Sequence, residues 1–236
     1  MMRLKGPDKQ PVQNDVDVLN RLLTFDDGII LELGCGRAKK TRQVLKSTAV
    51  KKIIAAEVDE TQHQKNLACQ DLPTIEFTRF GAEKIAAWDQ TFDVVMMFNS
   101  LHHVPTKLMG LALTEIHRVL KIDGFAFFSE PVFAGELNEV MRLFHDESEV
   151  RIAAFNSLQH AVEQKLFQLE EEIFFKQIIC FANFSQFENH VMNATFAAHR
   201  LTPELHEKVR NKFERFRSSQ GYVFEVPHRV DLLRRN

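Results

Sequence analysis

The chain has 236 residues, 44% of them hydrophobic and 26% charged, and a formal net charge of −2. Such a length fits one α/β domain spanning 1–236 and buries a sizeable core without disulfide or metal staples. The near-neutral balance does not describe a protein that coats nucleic acid. Three cysteines, Cys35, Cys69 and Cys180, are scattered, with no CxxC pair. Their number and spacing argue against a disulfide framework or a zinc site and for a reducing compartment, the cytoplasm. The opening residues Met1-Met2-Arg3-Leu4-Lys5 are polar, unlike a signal peptide. No apolar run approaches the ~20 residues of a membrane span, so no membrane partner is expected.

In chain order, residues 1–11 read as a loose arm. Val12, Val16, Leu19, Leu22 and Leu23 follow a helical period, and Asp26-Asp27-Gly28 signals a turn. Residues 29–33 form a short apolar run of the kind a buried parallel strand shows. Gly34-Cys35-Gly36 breaks it, and a helix follows to Lys46. Further strands are expected at 51–59, 75–79, 92–98 and 125–129. Helices are expected at 60–69 and 108–120, the second closed by Asp123-Gly124. Strands and helices alternating over about a hundred residues are the signature of a doubly wound parallel sheet.

The later part reads differently. Helices are expected at 135–144 and 147–166, and a β-rich stretch at 171–179. Ser185 caps a short helix, and Thr202-Pro203 starts another that runs to about Ser218. A last strand follows at 222–233. Two late strands, one of them antiparallel, complete a seven-stranded, mostly parallel sheet. The expected plan is a core at 12–131, a helical cap at 132–170, and late strands and helices at 171–236. Residues 200–236 are locally basic, from Arg200 through Lys208, Arg210, Lys212, Arg215 and Arg217 to Arg235. Of the 21 phenylalanines, many fall after residue 124. They mark either an aromatic core or an apolar substrate pocket.

A strand running into Gly-x-Gly makes a tight turn under a helix N-terminus, where backbone can approach a ligand closely. Here the pattern is Glu32-Leu33-Gly34-Cys35-Gly36-Arg37-Ala38, without the third glycine of a dinucleotide loop. Glu32, two residues before Gly34, would repel a phosphate. An acid there suits a cationic ligand such as S-adenosylmethionine, which carries an ammonium and a sulfonium and no phosphate. Asp59 ends the next strand, about twenty residues on, where an acid accepts ribose hydroxyls. It could equally be a helix N-cap. Glu57 shares its strand parity and is the second choice.

Together these residues resemble the class I S-adenosylmethionine-dependent methyltransferases, of the Rossmann-like superfamily, over about residues 29–131. The resemblance rests on several motifs in order: the loop at 29–37, Ala55-Ala56-Glu57-Val58-Asp59, and Gly81-Ala82-Glu83-Lys84-Ile85. Then come Phe92-Asp93-Val94-Val95, Asn99-Ser100-Leu101-His102-His103-Val104, and the helix and turn from Glu115 to Gly124. It implies that Glu32, Gly34 and Gly36, with Cys35 backbone, hold the methionine part of the cofactor and that Asp59 binds ribose. Ala82 and Glu83 would flank adenine, and Asn99 would line the methionine side. Ala38 replaces a frequent third glycine, and Gly81 stands where an acid often meets the adenine amino group. Adenine recognition then falls to backbone near Ala82 or to Glu83. The segment after Pro131 normally selects the acceptor.

Methyl transfer is an in-line displacement on an already activated cofactor, so positioning matters more than acid–base help. His103, after the fourth strand, and Glu130, after the fifth, are the candidate catalytic groups. Each has a structural reading beside it, a loop hydrogen bond for His103 and a fold contact for Glu130. His145-Asp146-Glu147 are consecutive and share no helix face, so no metal site is expected there. A small-molecule acceptor is the first expectation. The basic helix at 208–217 motivates an RNA or protein acceptor as an alternative. The missing acid at position 81 motivates a non-catalytic module that binds S-adenosylmethionine.

Overall fold

The fold is described from a computed structural model, for residues 2–24, 27–69, 73–193 and 201–236. Asp26 and Arg200, named above, lie outside the described residues. Five strands alternate with helices: α1 (Asp15–Leu22), β1 (Ile29–Leu33), α2 (Lys39–Ser47), β2 (Lys52–Ala56), α3 (Glu60–Leu67), β3 (Ile75–Thr78), β4 (Phe92–Phe98), α4 (Met109–Val119) and β5 (Leu120–Pro131). Then follow α5 (Glu136–Met141), α6 (Ser148–Glu163), β6 (Phe167–Phe181), α7 (Phe184–Phe187), α8 (Pro203–Glu214) and β7 (Tyr222–Arg235).

The seven strands form one sheet in the order β3-β2-β1-β4-β5-β7-β6. Strands β1 to β5 run parallel, and β7 runs antiparallel between β5 and β6. The order reverses between β1 and β4, so their C-terminal ends open a crevice, the usual ligand position in such sheets. β1 and β4 are near-continuous apolar runs because both faces are covered. On one face, Leu31, Leu33, Val95, Met97 and Phe128 pack against Leu113 and Ile116 of α4 and Leu158 of α6. On the other, Ile30, Val94, Met96 and Phe127 pack against Leu19 of α1 and Val44 of α2.

Four features differ from the sequence expectation, each for a physical reason. β5 starts at Leu120, which pairs with Phe92; residues 121–124 then bulge out before Phe125 pairs with Val94. Gly124 allows this, since a Cβ there would lie 2.9 Å from the Lys121 carbonyl oxygen and 3.1 Å from that of Asp93. β6 starts at Phe167, earlier than the β-rich stretch, because its polar residues face outward on an edge strand. Arg234 of β7 holds Glu170 at 2.6 Å and Gln168 at 3.0 Å. Next, the N-terminal arm is not loose. Gln13 N donates to Lys176 O, Lys176 N donates to Pro11 O, and Arg3 pairs with Glu172. The arm thereby covers the exposed edge of β6, which would otherwise invite pairing with another chain. The cap of α7 is Asn183, whose side chain accepts from Gln186 N, rather than Ser185.

β6 and β7 extend past the sheet and carry a third cluster with α5, α7 and α8. Its rings contact one another. Phe213 stacks on Phe187 at 4.8 Å and on Tyr222 at 4.3 Å, and Phe181 meets Phe187, Phe213 and Phe224 edge-on. The late phenylalanines are thus the core of this lobe. Phe213 is fully buried at its centre. Phe213→Ala should cost about 3–5 kcal/mol, read as a lower urea midpoint at unchanged m-value.

Candidate functional site

Loop 34–38, after β1, is held from three sides. The amides of Gly34 and Cys35 both donate to Ala56 O of β2, at 2.9 and 3.0 Å. Gly36 N donates to Glu57 Oε2 at 2.7 Å, and Asn66 Nδ2 of α3 donates to Gly36 O at 2.7 Å. Gly34 and Gly36 have φ of 73° and 53°, a region that glycine enters freely. A Cβ on Gly34 would lie 2.7 Å from Ser100 Oγ, whereas one on Gly36 would meet nothing within 4 Å. The loop therefore packs tightly on one side and opens onto free space on the other. Ala38, the N-cap position of α2, has φ of 55°, which explains why a glycine is frequent there. Cys35 is buried, and burial pushes its thiol pKa up, so it remains a protonated, inert group.

Glu32 is 1% exposed, and its Oε2 has no hydrogen-bond partner. Burial raises its pKa to about 7, with the nearby Asp15 carboxylate adding to the effect. The Thr41 hydroxyl beside it works the other way, and a buried carboxylate with one oxygen unpaired, beside an open glycine face, fits a cationic ligand group. Asn99 has φ of 51°, donates its amide to Ser129 O, and also carries a buried Oδ1 without a partner.

The two acids after β2 divide their work. Asp59 is exposed and caps α3, its Oδ1 accepting from Gln62 N at 2.6 Å. Glu57 is buried and faces the glycine loop, with Oε1 accepting from Asp59 N at 2.9 Å. Ala82 is buried beside the same edge. Glu83 folds back over Gly81, so that a Cβ on Gly81 would lie 2.3 Å from Glu83 Oε2. The space a side chain at 81 would take is filled by the carboxylate from two residues on.

A second polar cluster follows β4 and β5. Glu130 Oε1 accepts from Ser100 N at 3.1 Å and Leu101 N at 2.9 Å, and its Oε2 bonds His102 Nδ1. Burial alone would raise the Glu130 pKa, but the His102 charge and these donors hold it below the ordinary value. His103 is exposed yet flanked by protein, its ring 4.1 Å from that of His102. This crowding, with the His102 charge, pushes its pKa down to about 4. Glu147, at the N-cap of α6, binds Arg151 Nε at 3.1 Å and His145 Nε2 at 2.8 Å. The sequence reading did not find His102 or Arg151. Their signal was a histidine pair of which only one ring was considered, and an arginine one helical turn after an acid.

The two clusters touch, because Ser100 Oγ donates to Gly34 O at 3.2 Å. Gly36, Gly34, Ser100, Glu130 and His102 thus form one continuous edge across β1, β4 and β5.

Residues 31–128 match the family described as a methyltransferase domain. No curated protein matches the chain in sequence. Among solved structures, the YcgJ protein from Bacillus subtilis is similar at TM-score 0.67 and 14% identity, covering 94% of this chain and 98% of that one. A putative methyltransferase from Bacillus halodurans C-125 gives 0.64 and 17%, covering 93% and 98%. A putative S-adenosylmethionine dependent methyltransferase from Listeria monocytogenes gives 0.53 and 13%, covering 94% and 98%. The parallel sheet with its antiparallel β7 and the glycine loop after β1 agree with the match over 31–128, so that segment carries an S-adenosylmethionine-dependent methyltransferase domain on a class I, Rossmann-like fold.

Proposed function

We propose that this enzyme methylates a small-molecule acceptor by direct in-line transfer, with the cofactor lying along the C-terminal edge of β1, β2 and β4. The buried Glu32 carboxylate, with one oxygen unpaired, beside the open face of Gly36 carries this reading. The cofactor supplies an activated sulfonium methyl. Glu32 and the backbone of Gly34, Cys35 and Gly36 hold its methionine end, with Asn99 on the same side. Glu57 takes the ribose hydroxyls, because it faces the loop while the Asp59 carboxylate points to a helix amide. Ala82 flanks adenine, and Glu83 serves where the family often has an acid at position 81. Glu130 acts by positioning, since its oxygens fix the loop after β4. His103 stands at the acceptor side.

The α8 surface supports a small acceptor over RNA. Its Lys208, Lys212 and Arg215 share a groove with Glu139, Asp146, Glu204 and Glu207, so no uniform positive stripe forms. Among the described residues no helix is long and apolar enough to cross a membrane. Three unpaired thiols, with Cys180 exposed, fit a cytoplasmic setting.

Two measurements test the reading. First, S-adenosylhomocysteine should bind at micromolar concentration in calorimetry, and Glu57→Gln should weaken it at least about tenfold, or ~1.4 kcal/mol. Asp59→Ala should instead lower stability by about 1 kcal/mol through the lost cap, with a smaller effect on binding. No binding by the unaltered protein would sink the proposal. Labelled methyl groups offered to a cell extract should appear in the small-molecule fraction; label only in RNA or protein would overturn the acceptor class.

The second concerns Glu32. Its folded pKa of about 7 lies above the unfolded carboxyl's, about 4.3. The unfolded state therefore loses its proton first, and stability falls as pH rises from about 4 to about 7. Glu32→Gln removes this cost, so the ligand-free variant should be more stable at pH 8 by on the order of 3 kcal/mol and unchanged near pH 4. The same variant should bind S-adenosylhomocysteine poorly. Affinity of the unaltered protein should decline below pH 7, and the variant should lose that decline. Equal melting temperatures at pH 8 would contradict the assignment.

A further inference from the structure

His102, His103 and Glu147 each offer one ligand atom, and the three atoms lie within 4.8 Å of one another. They come from two separate segments, the turn after β4 and the start of α6. His102 Nε2 is 3.8 Å from Glu147 Oε1. That is beyond hydrogen-bond range. It is close to the separation of two ligands that share an ion at ~2.0–2.2 Å.

We infer that His102, His103 and Glu147 form a binding site for a divalent first-row transition ion, of the Zn2+ or Co2+ class, with one side open. The support around each buried ligand favours this. The Nδ1 atom of His102 is bonded to Glu130, which leaves Nε2 as the ligating atom, and a carboxylate behind a ligating histidine is the usual second layer of a metal centre. The Oε2 atom of Glu147 is held by Arg151, which leaves Oε1 toward the histidines. His145 Nε2, 2.8 Å from Glu147 Oε1, stands close enough to give a fourth donor. Two or three imidazoles and one carboxylate suit zinc, cobalt, nickel or iron rather than calcium or magnesium. Because His103 is exposed, one side of the site is open to water or to a small molecule, as catalytic rather than structural sites are. The Arg151 guanidinium is the opposing feature. Its charge is met by Glu147 and leaves Glu130 to offset the ion.

The same residues without an ion would be a hydrogen-bonded network only, and metal titration of the full chain separates the two. After treatment with chelator, the protein should take up one equivalent of Co2+ and develop visible d–d bands, and Zn2+ should displace it. His103→Ala alters an exposed residue and should not disturb the fold; it should weaken Co2+ binding at least about tenfold. Glu147→Gln should do the same, with its melting temperature in chelator recorded beside it. His160→Ala, on the exposed end of α6, should leave the titration unchanged. Absence of saturable one-to-one binding, or equal affinity in the His103→Ala protein, would overturn the site. The titration needs no cofactor, so it can fail while S-adenosylhomocysteine still binds, and it can succeed if that binding fails.

Discussion

The functional edge depends on one buried carboxylate. Glu130 ends β5, and both of its oxygens are engaged by the loop that follows β4. Two adjacent backbone amides and one imidazole converge on it, so that loop has a single low-energy arrangement. Isolated burial of an ionised carboxylate is costly, and these donors are what offset it. Removing Glu130 would leave two buried amides and a histidine without partners, a larger penalty than the loss of one contact. The same loop carries Ser100, which reaches Gly34 O, and Asn99, whose backbone is left-handed and whose Oδ1 is buried without a partner. Glu130 thus ties the loop after β4 to the end of β5, and Ser100 carries that tie on to the glycine loop.

A second carboxylate, after β2, acts in the same manner. Glu57 joins Gly36 N to Asp59 N and so ties the loop after β1 to the turn after β2. Glu32 is the exception among these acids. It lies deeper and has an oxygen without a partner, so it destabilises the ligand-free protein. Active sites commonly hold groups that are poorly satisfied until a ligand arrives. Glu57 has both oxygens on backbone amides, whereas Glu32 keeps one oxygen unpaired.

Much of this was legible in the sequence, for a physical reason. β1 and β4 are apolar on both faces, and their limits at Ile29–Leu33 and Phe92–Phe98 coincide with the apolar runs. The glycine loop was legible because only glycine reaches φ of 73° without strain. Where polar residues sit in strands, the pattern was lost. The start of β5 is hidden by a charged bulge, and that of β6 by the exposed Gln168, Glu170 and Glu171 around a second bulge. The N-terminal arm could not be read because its order comes from an edge strand at the far end of the chain. Strand parity leaves Asp59 and Glu57 equal, and their different partners, a helix amide for one and the glycine loop for the other, could not be read from it. His145 and Glu147 gave no sign of a site, since Glu147's partners across the cluster come from the β4 loop and not from its neighbours in sequence.

The polar cluster around Glu130 stands apart from the aromatic late lobe. The aromatic residues of the late lobe are spent on one another, with Phe213, Phe187 and Tyr222 stacked and Phe181 set edge-on. They brace the outer halves of β6 and β7, from which Arg229 enters the sheet. Arg229 bonds Asp231 at 2.7 Å and lies over the Phe155 ring at 4.5 Å, beneath Glu130. Burial raises the Asp231 pKa to about 6 even so. A buried run of Asp231, Arg229, Glu130, His102 and Glu147 is a poor choice for stability, since well-packed apolar residues of similar volume are often neutral or better. Most of the remaining sheet interior among the described residues is aliphatic and aromatic. A hydrophobic acceptor would gain nothing from that polar run, whereas a polar acceptor, or an ion that holds one, would find its partners already oriented.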